Sequence, residues 1–192
     1  NKEQPRPLPS NPTYTVDLNL IQNNRERFLK DRKFCAFINN NQIEDRISLF
    51  KLLHQKEHVD SFGHLLNNTG QALRGSQEDK IKLLHNYRFT IAFENSYHHG
   101  YNTEKITEPL EAGCIPLYNG GERIKDYFNP KSFFYFKDFN SLEEYVDAVF
   151  QVHESRDVYE EMLLAPPLHL EKIKQDFSPE VILENILQRI NL

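Results

Sequence analysis

The sequence predicts an α/β domain built on a mostly parallel sheet, and three observations carry that prediction. Apolar runs of strand length alternate with stretches of helical spacing along the 192 residues. The runs are Phe34–Ile38, Val59–Phe62, Phe89–Phe93, Cys114–Tyr118 and Ser132–Phe136, and a strand–helix order of this kind implies a mostly parallel sheet with helices on both faces. The length is that of one domain, on the usual scale of about 100–200 residues, and suffices to bury a core without disulfides or structural metals.

Each element has a local cause. Residues 1–12 hold Pro5, Pro7, Pro9 and Pro12 and read as extended or disordered chain. Ile21 to Arg32 reads as a short lead-in helix, so residues 1–31 form a linker and entry segment. The strand Phe34–Ile38 ends in the polar loop Asn39-Asn40-Asn41, and Ile43, Ile47, Phe50 and Leu53 then recur at helical spacing through Lys56. Val59–Phe62 is closed by Gly63, and residues 64–75 form a loop. Ser76 caps a helix to Tyr87, with Asp79 at the capping-box position. After the strand Phe89–Phe93 a loop leads to Tyr101, and a helix from Thr103 to Ala112 stops at Gly113. Pro116 cannot donate to a ladder, which puts it at a strand start or a sheet edge. Gly120-Gly121 turns the chain into a short helix over 122–128, and Ser132–Phe136 is an aromatic strand contributing to the core. Ser141 and Glu144 form a capping box before a helix bearing Leu142, Tyr145, Val146 and Val149. Another helix runs from Arg156 to Leu164 and stops at Pro166-Pro167, and Ser178-Pro179 starts the last one. The main domain spans 32–165, with C-terminal helices in 166–192.

Composition excludes several classes. The net charge is −5, from 23 basic and 28 acidic residues, with no Lys/Arg block of the kind that displaces counterions from nucleic acid. No apolar run is long enough to span a membrane, and the N-terminus has no signal-peptide pattern. Cys35 and Cys114 sit in apolar runs and read as buried free thiols, with a mutual disulfide as the alternative. The pair His98-His99 has no third ligand at helical or hairpin spacing and reads as loop rather than metal site.

Ligands of parallel α/β sheets bind beyond the C-terminal strand ends, where the most polar loops here are 39–45 and 94–105. The second follows an apolar strand that delivers Glu94 and Asn95, then Tyr101, then a helix opening with Thr103-Glu104-Lys105. A first helical turn has free N–H groups and the positive end of the dipole, which attract phosphate, and Lys105 adds a full charge. A carboxylate such as Glu94 or Glu104 accepts from sugar hydroxyls, Tyr101 offers a flat face, and Arg46 a planar fork of donors for a diphosphate. Glu and Lys in a first turn are in most proteins plain solvated residues, and Glu-Asn at a strand end can simply cap a loop.

The run Phe93-Glu-Asn-Ser96, four further residues, and Tyr101-Asn-Thr-Glu-Lys105 resembles the donor-binding signature of the α-1,3/4-fucosyltransferases. Ala112-Gly113-Cys-Ile-Pro116-Leu-Tyr118, Phe128-Asn-Pro-Lys-Ser132-Phe133 and Asp138-Phe139 extend the resemblance, as do Lys33–Phe37, Arg46, Val59-Asp60 and Gly63 upstream. It covers roughly 32–165, which becomes the nucleotide-sugar donor domain. The resemblance implies the C-terminal half of a two-domain glycosyltransferase of the GT-B type, two Rossmann-like domains facing a cleft. It implies GDP-fucose as donor, no obligatory cofactor or metal, and inverting transfer to an acceptor glycan hydroxyl. Arg46 and Lys105 would neutralise the leaving diphosphate, and Glu104 would contact the sugar or support its developing charge. Asn95 and Tyr101 would hold nucleoside and sugar, with Glu94 and Thr103 in the same binding motif. The general base and the acceptor site would belong to a preceding domain, so the isolated chain is expected to be inactive.

Three positions depart from the pattern. Asn39-Asn40-Asn41 stands where many relatives carry Ser-Asn-Cys, Pro109 interrupts the Thr103 helix and should kink it, and Asn119 replaces a bulkier residue. Competing readings are a transferase for another nucleotide sugar and a non-catalytic domain of the same fold. A composition rich in Asn, Lys and Ile, without Trp, points to a bacterial or viral cytoplasmic protein rather than a Golgi enzyme.

Overall fold

Parallel strands in the order β2-β1-β3-β4-β5 form a five-stranded sheet in a computed structural model that describes residues 21–23, 25–71, 73, 76–97, 101–178 and 180–181. The strands are β1 (Lys33–Phe37), β2 (Val59–Ser61), β3 (Tyr87–Phe93), β4 (Ile115–Asn119) and β5 (Phe134–Tyr135). Every pairing in the sheet is parallel, as the alternation of runs predicts. The helices are α1 (Glu44–Lys56), α2 (Gln77–Leu84), α3 (Glu104–Glu111), α4 (Ile124–Tyr127), α5 (Leu142–Glu154), α6 (Arg156–Leu164) and α7 (Leu170–Phe177). The first crossover places β2 on one side of β1, and the chain then returns to place β3 on the other. The order therefore reverses between β1 and β3, and a crevice opens there at the carboxyl ends of the strands.

Both faces of the sheet are covered. Phe89, Ile91 and Phe93 of β3 join one core cluster with Phe34, Leu49, Phe50, Tyr145 and Val149, under α1 and α5. Ala92, on the opposite face, packs with Ile106, Leu110 and Tyr118 below α3. The aromatic run divides the same way: Phe134 joins the first cluster, and Phe133 and Tyr135 the second.

Helix starts follow the local chemistry. Ser76 accepts from the Asp79 N–H and the Asp79 carboxylate accepts from the Ser76 N–H, a complete capping box with Asp in place of Glu. At α5 the box is incomplete. Ser141 Oγ accepts from the Glu144 N–H, but the Glu144 carboxylate accepts from the backbone and side-chain nitrogens of Asn140 instead of the Ser141 N–H.

Several expectations are corrected. Pro116 is neither at the first strand position nor on an edge strand, since β4 lies between β3 and β5. The carbonyl of Asn119 accepts from Glu94 of the β3 side, so by alternation position 116 faces β5, whose pairing begins only opposite Leu117. The missing donor thus faces a place with no ladder. The fifth strand is two residues long because 3-10 turns at Pro130–Ser132 and Phe136–Asp138 confine it. Helix α3 runs through Pro109, leaving the Lys105 carbonyl without its i+4 backbone donor. Among the described residues of the lead-in, Ile21 and Gln22 are helical and Arg25–Phe28 forms a 3-10 turn. Helix α7 falls in the 166–192 region expected to hold C-terminal helices, with Leu170, Ile173 and Phe177 at helical spacing. Residues 1–12, the pair His98-His99 and all of the last helix beyond Val181 lie outside the described residues.

The cysteines are free and buried. Cys35 is in register with Phe89 and Phe89 with Ile115, so Cys114 stands two strand spacings from Cys35. That is about 10 Å, beyond the Cα separation of roughly 4.4–6.8 Å that a disulfide spans. Buried Arg25 ties the entry segment down. Its Nε donates to the Leu163 carbonyl at 2.6 Å, and Nη1 to those of Ile21 and Leu110 at 2.9 and 3.2 Å. Burial, with repulsion from Arg27 and Arg32, brings its pKa down to about 10.

Candidate functional site

A cavity of about 280 Å³ opens at the crevice between β1 and β3. Its walls come from the loop after β1 (Asn39, Asn40, Asn41), Arg46 of α1, Phe93 and Asn95 at the end of β3, Lys80 and Leu84 of α2, and the first turns of α3. A larger groove of about 920 Å³ lies beside β5, lined by Phe133, Phe134, Phe139 and Met162. It holds none of the candidate site residues. The site is therefore assigned to the smaller cavity, which stands where open parallel sheets bind ligands.

The two polar loops singled out in the sequence meet here. Arg46, three residues into α1, is almost fully buried; Nη1 donates to Asn39 Oδ1 at 2.7 Å, and Nη2 to Asn95 Oδ1 at 2.8 Å and to the Phe93 carbonyl. Asn41 adds a bond to the same Asn95 oxygen at 3.3 Å. Burial lowers the Arg46 pKa, against the opposing influence of Tyr97 and Glu94, and a guanidinium remains charged through such a shift. With these bonds made, the Nε–H is buried and unpaired among the described groups.

Glu94 takes a role other than hydroxyl binding. Its side chain is fully buried and points to the start of α3. It accepts from the Thr103 N–H at 2.7 Å and the Tyr118 hydroxyl at 3.0 Å, and the Thr103 hydroxyl lies 2.8 and 3.0 Å from its two oxygens. Glu94 and Thr103 are thus positioning residues behind the cavity wall. They also change the expected source of anion attraction. The Thr103 N–H is held by Glu94, and the Lys105 N–H points to the Thr103 hydroxyl at 3.5 Å. Positive potential at this helix start therefore rests on Lys105 more than on free amides.

Lys105 Nζ stands 3.3 Å from Glu104 Oε1 and 3.7 Å from Glu94 Oε2. Burial opposes ionisation of Glu104, yet Lys105, its own helix-start N–H and Lys80 together hold its pKa below the ordinary carboxylate value. Of the seven candidate residues, Arg46, Asn95, Glu104 and Lys105 line the cavity. Tyr101 does not: its carbonyl accepts from the Gly121 N–H at 3.2 Å and the residue is partly exposed, although its side chain acts on the Arg46 charge.

Three contributors went unrecognised in the sequence. Tyr118 read as core strand, yet its hydroxyl supports Glu94 and bonds Asn102 at 2.8 Å. Lys80 and Glu108 face each other at 2.6 Å across the cavity's inner end. The spacing of Glu104 and Glu108, four residues apart, was the available signal, because it places both on one helical face. Among the described residues, no group of three His, Cys, Asp or Glu side chains is arranged to hold a metal, and no helix is long and apolar enough to cross a membrane.

This geometry sits within a broad likeness to known proteins. A family profile described as Glycosyltransferase family 10 (fucosyltransferase) C-term matches residues 28–163. The α-(1,3)-fucosyltransferase FucT of Helicobacter pylori is 31% identical over 157 residues, 81% of this chain and 32% of that protein. A putative fucosyltransferase, R654, of Acanthamoeba polyphaga mimivirus is 28% identical over 174 residues, 85% of this chain and 28% of its own length. A crystal structure of an α1,3-fucosyltransferase with GDP-fucose superposes with a TM-score of 0.66 at 31% identity, covering 71% of this chain and 39% of that one. The chain thus spans about a third of the length of the relatives it matches. The profile takes in every strand of the sheet and both loops that wall the cavity, and the chain belongs to glycosyltransferase family 10, the fucosyltransferases, as the C-terminal region of that family.

Proposed function

We propose that this chain binds GDP-fucose and forms the donor side of an α1,3-fucosyltransferase. The observation that carries the reading is the pairing of Arg46 and Lys105 at one cavity, at the point where the strand order reverses. Two cations beside a helix start suit a diphosphate, whose charge grows as the bond to the sugar breaks. The solved relative with GDP-fucose, aligned over most of this chain, supports the same donor.

In this reading an acceptor hydroxyl attacks the anomeric carbon of fucose while the carbon–oxygen bond to the diphosphate breaks, inverting the centre. GDP leaves with its new charge held by Lys105 and Arg46. Glu104, kept ionised, is proposed to support positive charge on the sugar or to accept from its hydroxyls. A general base takes the acceptor proton. That base and the acceptor site are proposed to come from a partner domain of the GT-B arrangement, outside the third of the relatives that this chain spans. A glycan or glycoconjugate is the proposed acceptor, and the Asn-, Lys- and Ile-rich composition supports a bacterial or viral cytoplasmic setting.

The test is calorimetric titration of GDP, GDP-fucose and UDP into the chain, beside a Lys105→Ala variant. Selective guanosine binding, weakened on the order of 10-fold or more in the variant, is expected. Equal affinity for UDP and GDP, or a variant that binds GDP as tightly as the wild type, would overturn the reading.

A further inference from the structure

The inner end of the cavity contains a carboxylate with an unmet need. Glu108 is only 2% exposed. Its Oε2 accepts from Lys80 Nζ at 2.6 Å, while Oε1 is buried with no hydrogen-bond partner among the described groups. Burial raises its pKa, with Lys80 acting in the opposite direction. A desolvated, unpaired carboxylate oxygen is costly, and such a group in a native site calls for an explanation, of which a ligand donor is one. Glu108 lies one turn of α3 beyond Glu104, about 6 Å deeper along the helix from the end that holds Lys105. The cavity that Glu108 lines also has apolar walls, among them Leu73, Leu84 and Pro109.

We infer that this inner end is the nucleobase subsite and that Glu108, held by Lys80, selects guanine. The inference rests on the reading of the cavity as a nucleoside-diphosphate-sugar site. A base is the part of such a ligand with apolar faces and a polar edge, which matches a cavity with apolar walls and a buried carboxylate. With the diphosphate at Lys105 and Arg46, the base lies at the far end of the nucleotide, deeper along α3. The guanine edge presents an acceptor, O6, beside two donors, N1–H and the 2-amino group. Lys80 is a donor with hydrogens to spare, and Glu108 is acceptor-only when ionised. Xanthine replaces the 2-amino donor with a carbonyl and sets acceptor against acceptor. Hypoxanthine lacks the 2-amino group and forfeits one bond.

The experiment titrates GDP, IDP, XDP and 2′-deoxy-GDP into the full chain for wild type, Glu108→Gln and Lys105→Ala, with thermal melts to establish folding. Wild type is expected to bind GDP over IDP over XDP. Glu108→Gln should weaken GDP by roughly 10- to 100-fold, the scale of a hydrogen bond to a charged group, and compress the order. Lys105→Ala should weaken all four while leaving the order intact. A folded Glu108→Gln variant that keeps the wild-type affinity and order overturns the inference. So does wild type that takes XDP as tightly as GDP, a result that decides the matter even if the variant does not fold. If Glu108→Gln erases the preference for GDP over 2′-deoxy-GDP and leaves the base order unchanged, the carboxylate faces the ribose and the base assignment is wrong. Wild type that binds no nucleotide overturns the donor-site reading itself, and this inference with it.

Discussion

At the scale of single residues, the site separates into groups that face the cavity and groups that hold them. Glu94 is the clearest holder, because each of its side-chain contacts is to the start of α3 or to Tyr118. Glu94→Gln keeps the shape but leaves one acceptor oxygen in place of two, removes the buried charge, and puts an amide N–H₂ toward the Thr103 hydroxyl and Lys105. We expect a loss of roughly 1–3 kcal/mol in urea unfolding and several-fold weaker GDP binding, although the residue touches no ligand in our reading. Unchanged stability would show that the buried contacts carry no weight. The sequence made Glu94 conspicuous as a carboxylate directly after an apolar strand. Its partners were not legible, because Tyr118 lies 24 positions away and reads as ordinary core. Glu108 was less visible still. An i,i+4 carboxylate pair is common on solvated helices, and only burial against Lys80 sets this one apart.

At the scale of elements, the cavity depends on two loops meeting at the ends of β1 and β3. Gly63, just after β2, supports the first. A Cβ there would stand 1.8 Å from the Asn39 carbonyl oxygen and 2.6 Å from the Asn39 nitrogen. Backbone is the obstacle, so no rotamer change relieves it. Asn39 in turn accepts from Arg46. Gly63→Ala is therefore expected to cost a few kcal/mol, roughly at the upper end of the usual 0.5–3 range for point substitutions, and to weaken GDP binding by displacing Arg46. A variant with wild-type melting temperature and GDP affinity would contradict both contacts. Strand and helix identities were legible from apolar runs and capping residues. The ends were less so, since backbone pairing and not side-chain type sets them: β3 begins at Tyr87 because β1 pairs with it from Lys33.

At the scale of the whole molecule, a doubly wound sheet carries the site at one end and its stabilising ties at the other. Arg25 joins the entry segment to the carboxyl ends of α3 and α6 through the carbonyls of Leu110 and Leu163. Arg25→Met would leave those carbonyls without their donor, with some offset from relieved repulsion by Arg27 and Arg32. We expect a loss of roughly 2–4 kcal/mol in chemical denaturation with GDP affinity within about twofold of wild type, because no Arg25 contact reaches the cavity. A selective loss of GDP binding at unchanged stability would reverse that separation. The sequence alone determined the α/β class, the order of elements and the loops that bear the site chemistry. Those follow from local periodicity and from turn and cap residues, which act over a few positions. Only the tertiary structure decided that the order reverses between β1 and β3, that Glu94 supports while Arg46 and Lys105 face the cavity, and that Glu108 holds an unpaired oxygen inside it. Such facts depend on which distant groups become neighbours and which lose water, and no local pattern of residues encodes either.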